Sequence, residues 1–160
     1  MLDTLAVHFI DLVRFSFGSA SIVSRQATNG AKSGPGPDTV NVNLQHESGM
    51  FSSVFASYAA PYQLCVHATG TNGLVRIDGS ELKIFSPRDT FDHQGLFSAP
   101  PKNQHEIYNF ESDYLYSLEN SLEFFFNSIN DCDQVFLEHF DLSISTMREL
   151  LEIHPIPNCV

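Results

Sequence analysis

The sequence predicts an α+β domain, an open and mostly antiparallel sheet with helices packed on one face. Three observations point there. The chain opens on a helical period, with Thr4, His8 and Asp11 at steps of four and three residues in an apolar run. Residues 39–47, T-V-N-V-N-L-Q-H-E, then alternate strictly. Val40, Val42 and Leu44 fall on one side of that strand, and Asn41, Asn43 and Gln45 on the other. The last third returns to a helical period in two separate runs.

Each element follows from local chemistry. The first helix runs to Gly18, a natural residue to follow a helix C-terminus because it adopts positive φ without strain. Residues 19–28 have the composition of a strand, and 29–38, N-G-A-K-S-G-P-G-P-D, form a Gly- and Pro-rich loop. Ser48 and Gly49 turn the alternating strand into M-F-S-S-V-F-A-S-Y-A-A, which ends at Pro61 and Tyr62. The strand Q-L-C-V-H-A-T-G and the Thr71-Asn72-Gly73 turn lead to L-V-R-I-D-G and E-L-K-I-F-S-P. Together these describe a meander of four or five strands. Residues 87–111 lack periodicity and read as a long loop crossing the sheet. Ser112 is the expected cap of a helix through Leu115, Leu118, Leu122, Phe125 and Ile129. A second helix is expected from about His139 to Ile153, and the acids of both helices read as solvated faces.

Composition narrows the function. At 160 residues the chain fits a single domain, residues 1–160, with an apolar content of 42%. The net charge of −11 leaves no basic stripe for a phosphate backbone, which excludes nucleic acid and an anionic membrane surface as partners. Three cysteines without regular spacing read as reduced thiols, and no apolar run approaches the roughly 20 residues that span a bilayer. No basic segment precedes the first apolar run, so a leader is not expected and the chain reads as cytoplasmic. Large apolar groups of both parities at 50–60 predict that the second sheet face is covered by a partner domain or a second subunit.

Four blocks, in order, resemble the C-terminal domain of the glucose–fructose oxidoreductase and inositol dehydrogenase (Gfo/Idh/MocA) family. They are the helix H-F-I-D-L-V-R-F-S-F-G, the paired strands around E-S-G-M, the hairpin V-H-A-T-G-T-N-G-L-V-R-I, and the two closing helices. The resemblance implies a glyceraldehyde-3-phosphate-dehydrogenase-like sheet domain that binds substrate and forms a homo-oligomer through its open sheet face. It also implies a parent oxidoreductase using NAD or NADP on a sugar, cyclitol or related polyol. The family's N-terminal Rossmann domain, with its Gly-rich turn, has no counterpart here. Gly34 and Gly36 lie in a Pro-rich loop without a helix behind them, so the chain reads as part of a two-domain protein.

The same resemblance nominates site residues. His8 occupies the family's proton-transfer position; the opposing reading is a buried histidine bonded to a backbone carbonyl. The family often carries an Asp four residues earlier, where this chain has Thr4. The nearest carboxylate, Asp3, would sit about 140° around a regular helix from His8. Thr4, Asp3, Asp11 and Tyr58 are the expected substrate-binding residues. Asp11 and Arg14, three apart, also fit a local ion pair, and Asp11 orienting His8 is the second reading. Cys65 and His67 share a strand face, with His46 a candidate third ligand. They lack the paired spacing of zinc sites, so a buried thiol beside an imidazole is expected and no metal. A non-catalytic relative, serving as a protein-binding or ligand-sensing module, is the alternative that Thr4 favours.

The chain alone is expected to bind neither NAD(H) nor NADP(H), because no helix N-terminus behind a Gly-rich turn is present to take the pyrophosphate. Calorimetric titration checks this, and saturable binding at micromolar concentration would overturn it.

Overall fold

A computed structural model describes residues 2–32, 34–86, 91–98, 100–131 and 134–152. Two compact units emerge, Met1–Pro61 with Asn127–Val160, and Tyr62–Phe126. The architecture is α+β, with antiparallel sheets and helices, as the periodicities predict.

In the first unit a π-helical turn, Leu2–Ala6, leads into helix α1, Val7–Phe17. Gly18 ends α1 at φ 85°, and its N–H bonds the Arg14 carbonyl at 2.8 Å. Strands β1 (Ala20–Thr28), β2 (Thr39–His46) and β3 (Phe51–Ser57) form an antiparallel sheet in the order β1-β2-β3. The loop between β1 and β2 is held by Asp38, whose carboxylate accepts the N–H groups of Gly30 and Ala31 at 2.9 and 2.7 Å. Those backbone bonds hold its pKa below the ordinary carboxylate range. Gly49, at φ 86°, supplies the left-handed residue of the β2–β3 turn. The alternation of β2 is realised in full: Val40, Val42, Leu44 and His46 are buried. They pack with Val54 and Ala56 of β3, Ala6 of the π-turn, Ile10 of α1, and Leu150 of helix α3, Gln134–Glu152.

A polar network joins α1, α3 and β1 beside that core. Arg14, only 3% exposed, donates to Thr146 Oγ1 at 3.0 Å, to the Ala20 carbonyl at 2.6 Å, and to Glu149. Glu149 Oε1 also accepts the Ile22 N–H at 3.0 Å, beside the β1 irregularity at Val23. This corrects two expectations. Arg14 pairs with Glu149 instead of Asp11, and Glu149 is not an ordinary solvated acid. The helical period of α3 shows which residues share a stripe but not which distant arginine that stripe meets.

The second unit carries β4 (Cys65–Gly70), β5 (Gly73–Asp78), β6 (Glu81–Phe85) and β7 (Lys102–Ile107), a separate antiparallel sheet in that order. The expected single meander is therefore two sheets. Beyond β3, the Ser57 hydroxyl takes the N–H groups of Ala59 and Ala60 at 3.1 Å, and Pro61 has no N–H to continue a ladder. The expected loop at 87–111 is also corrected, since 102–107 pair with β6. K-N-Q-H-E-I shows no alternation because it is an edge strand exposed almost throughout.

Helix α2, Phe110–Asp131, begins two residues before Ser112. Asn109, rather than Ser112, accepts at its start, from the N–H groups of Glu111 and Ser112 at 3.2 and 3.5 Å. Helix α3 begins at Gln134, earlier than expected; Ile153, Cys132 and Cys159 lie outside the described residues. No described helix is long and apolar enough to cross a membrane.

Removing Glu149 would leave the buried Arg14 guanidinium and the Ile22 N–H short of an acceptor. Glu149→Ala should therefore cost roughly 1–3 kcal/mol in denaturant unfolding. In a double-mutant cycle with Arg14→Met most of that cost should vanish, and additive effects would show that the pair does not couple.

Candidate functional site

The site grows from the junction of the π-turn with α1. A π-turn winds through less angle per residue than an α-turn, roughly 80–90° against 100°. Thr4 therefore comes almost directly below His8, and the offset of position 3 from His8 shrinks to about a quarter-turn. The side chain of Asp3 is outside those the structure describes. Such turns are frequent at functional sites.

Thr4 and Tyr58 meet. Thr4 Oγ1 lies 3.2 Å from the Tyr58 hydroxyl, where the chain leaves β3. Tyr58 is 62% exposed, so the pair presents two hydroxyls to solvent rather than sealing a core. His8 is exposed on the next turn, with no hydrogen bond to another described residue. An accessible imidazole stands one helical turn from a hydroxyl pair. Such a group can exchange a proton with a ligand oxygen, while the hydroxyls donate and accept hydrogen bonds.

Asp11 does not join them. Its carboxylate accepts from Ser143 at 3.2 Å and Thr146 at 3.3 Å, both on α3, so it braces one helix against the other. Of the residues nominated from sequence, Thr4 and Tyr58 are in contact, His8 lies a turn away, and Asp11 is engaged elsewhere.

The buried histidine foreseen as the opposing reading of His8 exists at another position. His46 is 2% exposed, with Nδ1 2.9 Å from the Gly18 carbonyl and Nε2 2.8 Å from Ser52 Oγ. A carbonyl only accepts, so the proton is on Nδ1 and Nε2 accepts from Ser52. The ring also meets Phe17 edge-on at 6.2 Å. The signal was available: 46 continues the 40, 42, 44 parity of β2. With both nitrogens engaged, His46 is not free to ligate a metal. Among the described residues no group of three or more His, Cys, Asp or Glu could hold one. Cys65 and His67 do lie together, 3.2 Å apart, yet the thiol is exposed, correcting the expected buried one.

None of α1, α2 or α3 opens behind a Gly-rich turn; they follow the π-turn, Asn109 and the stretch before Gln134.

Comparison with known proteins places these features in context. Residues 1–76 match the family model of the GFO/IDH/MocA C-terminal domain. D-apiose dehydrogenase from Paraburkholderia graminis is 29% identical over 108 residues, covering 63% of this chain and 28% of the enzyme. The crystal structure of an oxidoreductase from Agrobacterium radiobacter, in complex with NAD+, L-tartaric acid and magnesium, is alike in fold. It aligns at a TM-score of 0.50 and 23% identity, over 63% of this chain and 31% of that one. The chain thus spans well under half the length of either relative.

Proposed function

We propose, from the match of residues 1–76 to the Gfo/Idh/MocA C-terminal domain model, that the chain is the substrate-binding and oligomerisation part of an NAD(P)-dependent oxidoreductase. The substrate class is a sugar, cyclitol or related polyol. The match with a sugar dehydrogenase supports that class. One observation carries the reading: the family's H-x-x-D-x-x-R helix presents an exposed His8 one turn from the Thr4–Tyr58 hydroxyl pair.

His8 takes the proton of the substrate hydroxyl that becomes a carbonyl, or returns it in the reverse direction. An imidazole suits that exchange because one ring nitrogen accepts a proton while the other carries one. Thr4 and Tyr58 hold neighbouring hydroxyls, and Asp3, on the π-turn, is assigned to the same substrate. Asp11 contributes indirectly, fixing α1 against α3 through Ser143 and Thr146. The nicotinamide nucleotide belongs to the part of the protein outside this chain, whose own residues handle the substrate and its proton.

A second reading rests on Thr4. A hydroxyl at the position where the family often has a carboxylate cannot hold a proton in relay with His8. A non-catalytic relative that senses or binds the same polyols would keep the site and lose the chemistry.

The oligomer is assigned to the open face of the β1-β2-β3 sheet. Phe51 and Phe55 are 70% and 65% exposed there. By register they lie opposite Gln45 and Asn41, beside Asn43 and Ser53, in a patch without charge in a chain of net charge −11. Light scattering should give a mass above the monomer's that falls when Phe55 is replaced by Lys. A monomer over a wide concentration range would refute the assignment.

In the whole protein, His8→Asn should lower turnover by about a hundred- to ten-thousand-fold with a much smaller change in substrate affinity. Since His8 is exposed, the melting temperature should hold. A stable variant with unchanged turnover sinks the catalytic reading and leaves the binding module.

A further inference from the structure

The β4-β5-β6-β7 sheet has two unlike faces. Val66, Ala68, Val75, Ile77, Leu82 and Ile84 share one parity. The other face begins at β4, an edge strand, with Cys65 and His67. Register sets Asp78 opposite Cys65 and Arg76 opposite His67 on β5, then Glu81 and Lys83 on β6, then His105 on β7. Cys65 and His67 are both exposed, and Sγ lies 3.2 Å from Nε2. Glu81 is engaged by Lys83 and His105, whereas the exposed Arg76 has no ion pair among the described residues. Arg76 and Lys83 share this face with the thiol, the two histidines and two carboxylates, Asp78 and Glu81; Lys83 is spent on Glu81, so Arg76 is the cation left beside His67.

We propose that Cys65 and His67 form a nucleophile–base pair that takes up anionic low-molecular-weight disulfides, leaving a mixed disulfide on Cys65. The separation is within hydrogen-bond reach, the geometry that lets a base take the proton as its neighbour attacks. Nε2 of neutral His67 accepts the thiol proton while Sγ attacks one sulfur of the incoming disulfide. A new S–S bond forms to Cys65, and the old one breaks with its electron pair on the departing sulfur. That thiolate leaves with the proton from His67. Cys65 is oxidised, and the external disulfide is reduced to one free thiol. Arg76, across the strand pair from His67, attracts the negative substituent of the reagent. The position on an edge strand leaves room for approach from outside the sheet.

The test uses the full chain with Cys132→Ser and Cys159→Ser, so that Cys65 is the sole thiol of the three. Its reaction with dithiobis(nitrobenzoate), a dianionic disulfide, is followed by stopped flow at neutral pH. His67→Gln should slow the reaction by at least about tenfold. Arg76→Gln should slow this reagent while sparing cystamine, a cationic disulfide, and circular dichroism should match throughout. A His67→Gln rate equal to that of the parent overturns the pair. Equal preference for the two reagents, with or without Arg76, overturns the assignment to anionic disulfides.

Discussion

The first unit depends on one buried cation. Arg14 projects from α1 into a space where water cannot solvate it, and an unpaired guanidinium there would cost several kcal/mol. Glu149 of α3, Thr146 and the Ala20 carbonyl offset most of that cost through the two terminal nitrogens, leaving Nε without a hydrogen-bond partner. Because Glu149 also takes the Ile22 N–H, one carboxylate ties the last helix, the first helix and the edge of the sheet. The apolar core around Val42 and Leu44 would tolerate several orientations of α3, since burial is non-directional. Hydrogen bonds to a fixed guanidinium fork tolerate few.

That clamp places the candidate site. With α1 fixed at Arg14 and braced at Asp11 by Ser143 and Thr146, its opposite end carries His8 outward. Below it the π-turn sets Thr4 against Tyr58 at the end of β3. His46 and His8 illustrate how environment assigns role. His46 has both nitrogens spent on Gly18 and Ser52 and joins α1 to the β2–β3 hairpin. His8 keeps an accessible ring, the condition for exchanging a proton with a ligand.

The two sheets divide their surface chemistry in different ways. The open face of β1-β2-β3 is uncharged, with Phe51 and Phe55 among amides and hydroxyls. Asn43 bonds Ser24 at 2.8 Å, and Ser53 bonds Asn41 at 3.0 Å. These cross-strand bonds hold the ladder in register while leaving the aromatic rings wet. The Cys65 face of the other sheet is ionic, with Glu81 drawn below its ordinary carboxylate range chiefly by its hydrogen bond and charge pairing with Lys83. One face suits broad apolar contact, the other small charged ligands.

Periodicity alone determined the class of most elements, because helices and half-buried strands repeat hydrophobic positions at 3.6 and 2 residues. The turns at Gly18, Gly49 and Asn72-Gly73 were legible for a similar reason, since few residues accept positive φ. The motif helix was legible too, and with it His8, Asp11 and Arg14 as polar positions on an apolar run. Their partners were not. Whether Arg14 meets Asp11 three residues away or Glu149 far along the chain is decided by where α3 docks, and no local pattern encodes that distance. The strand at 102–107 stayed hidden because an exposed edge strand needs no apolar alternation. The division of the strands into two sheets was equally silent, since alternation names a face but not the neighbour that faces it. Local sequence determined each segment's conformation and buried side; tertiary packing alone decided the pairings, because hydrogen-bond and charge partners are chosen by proximity in space.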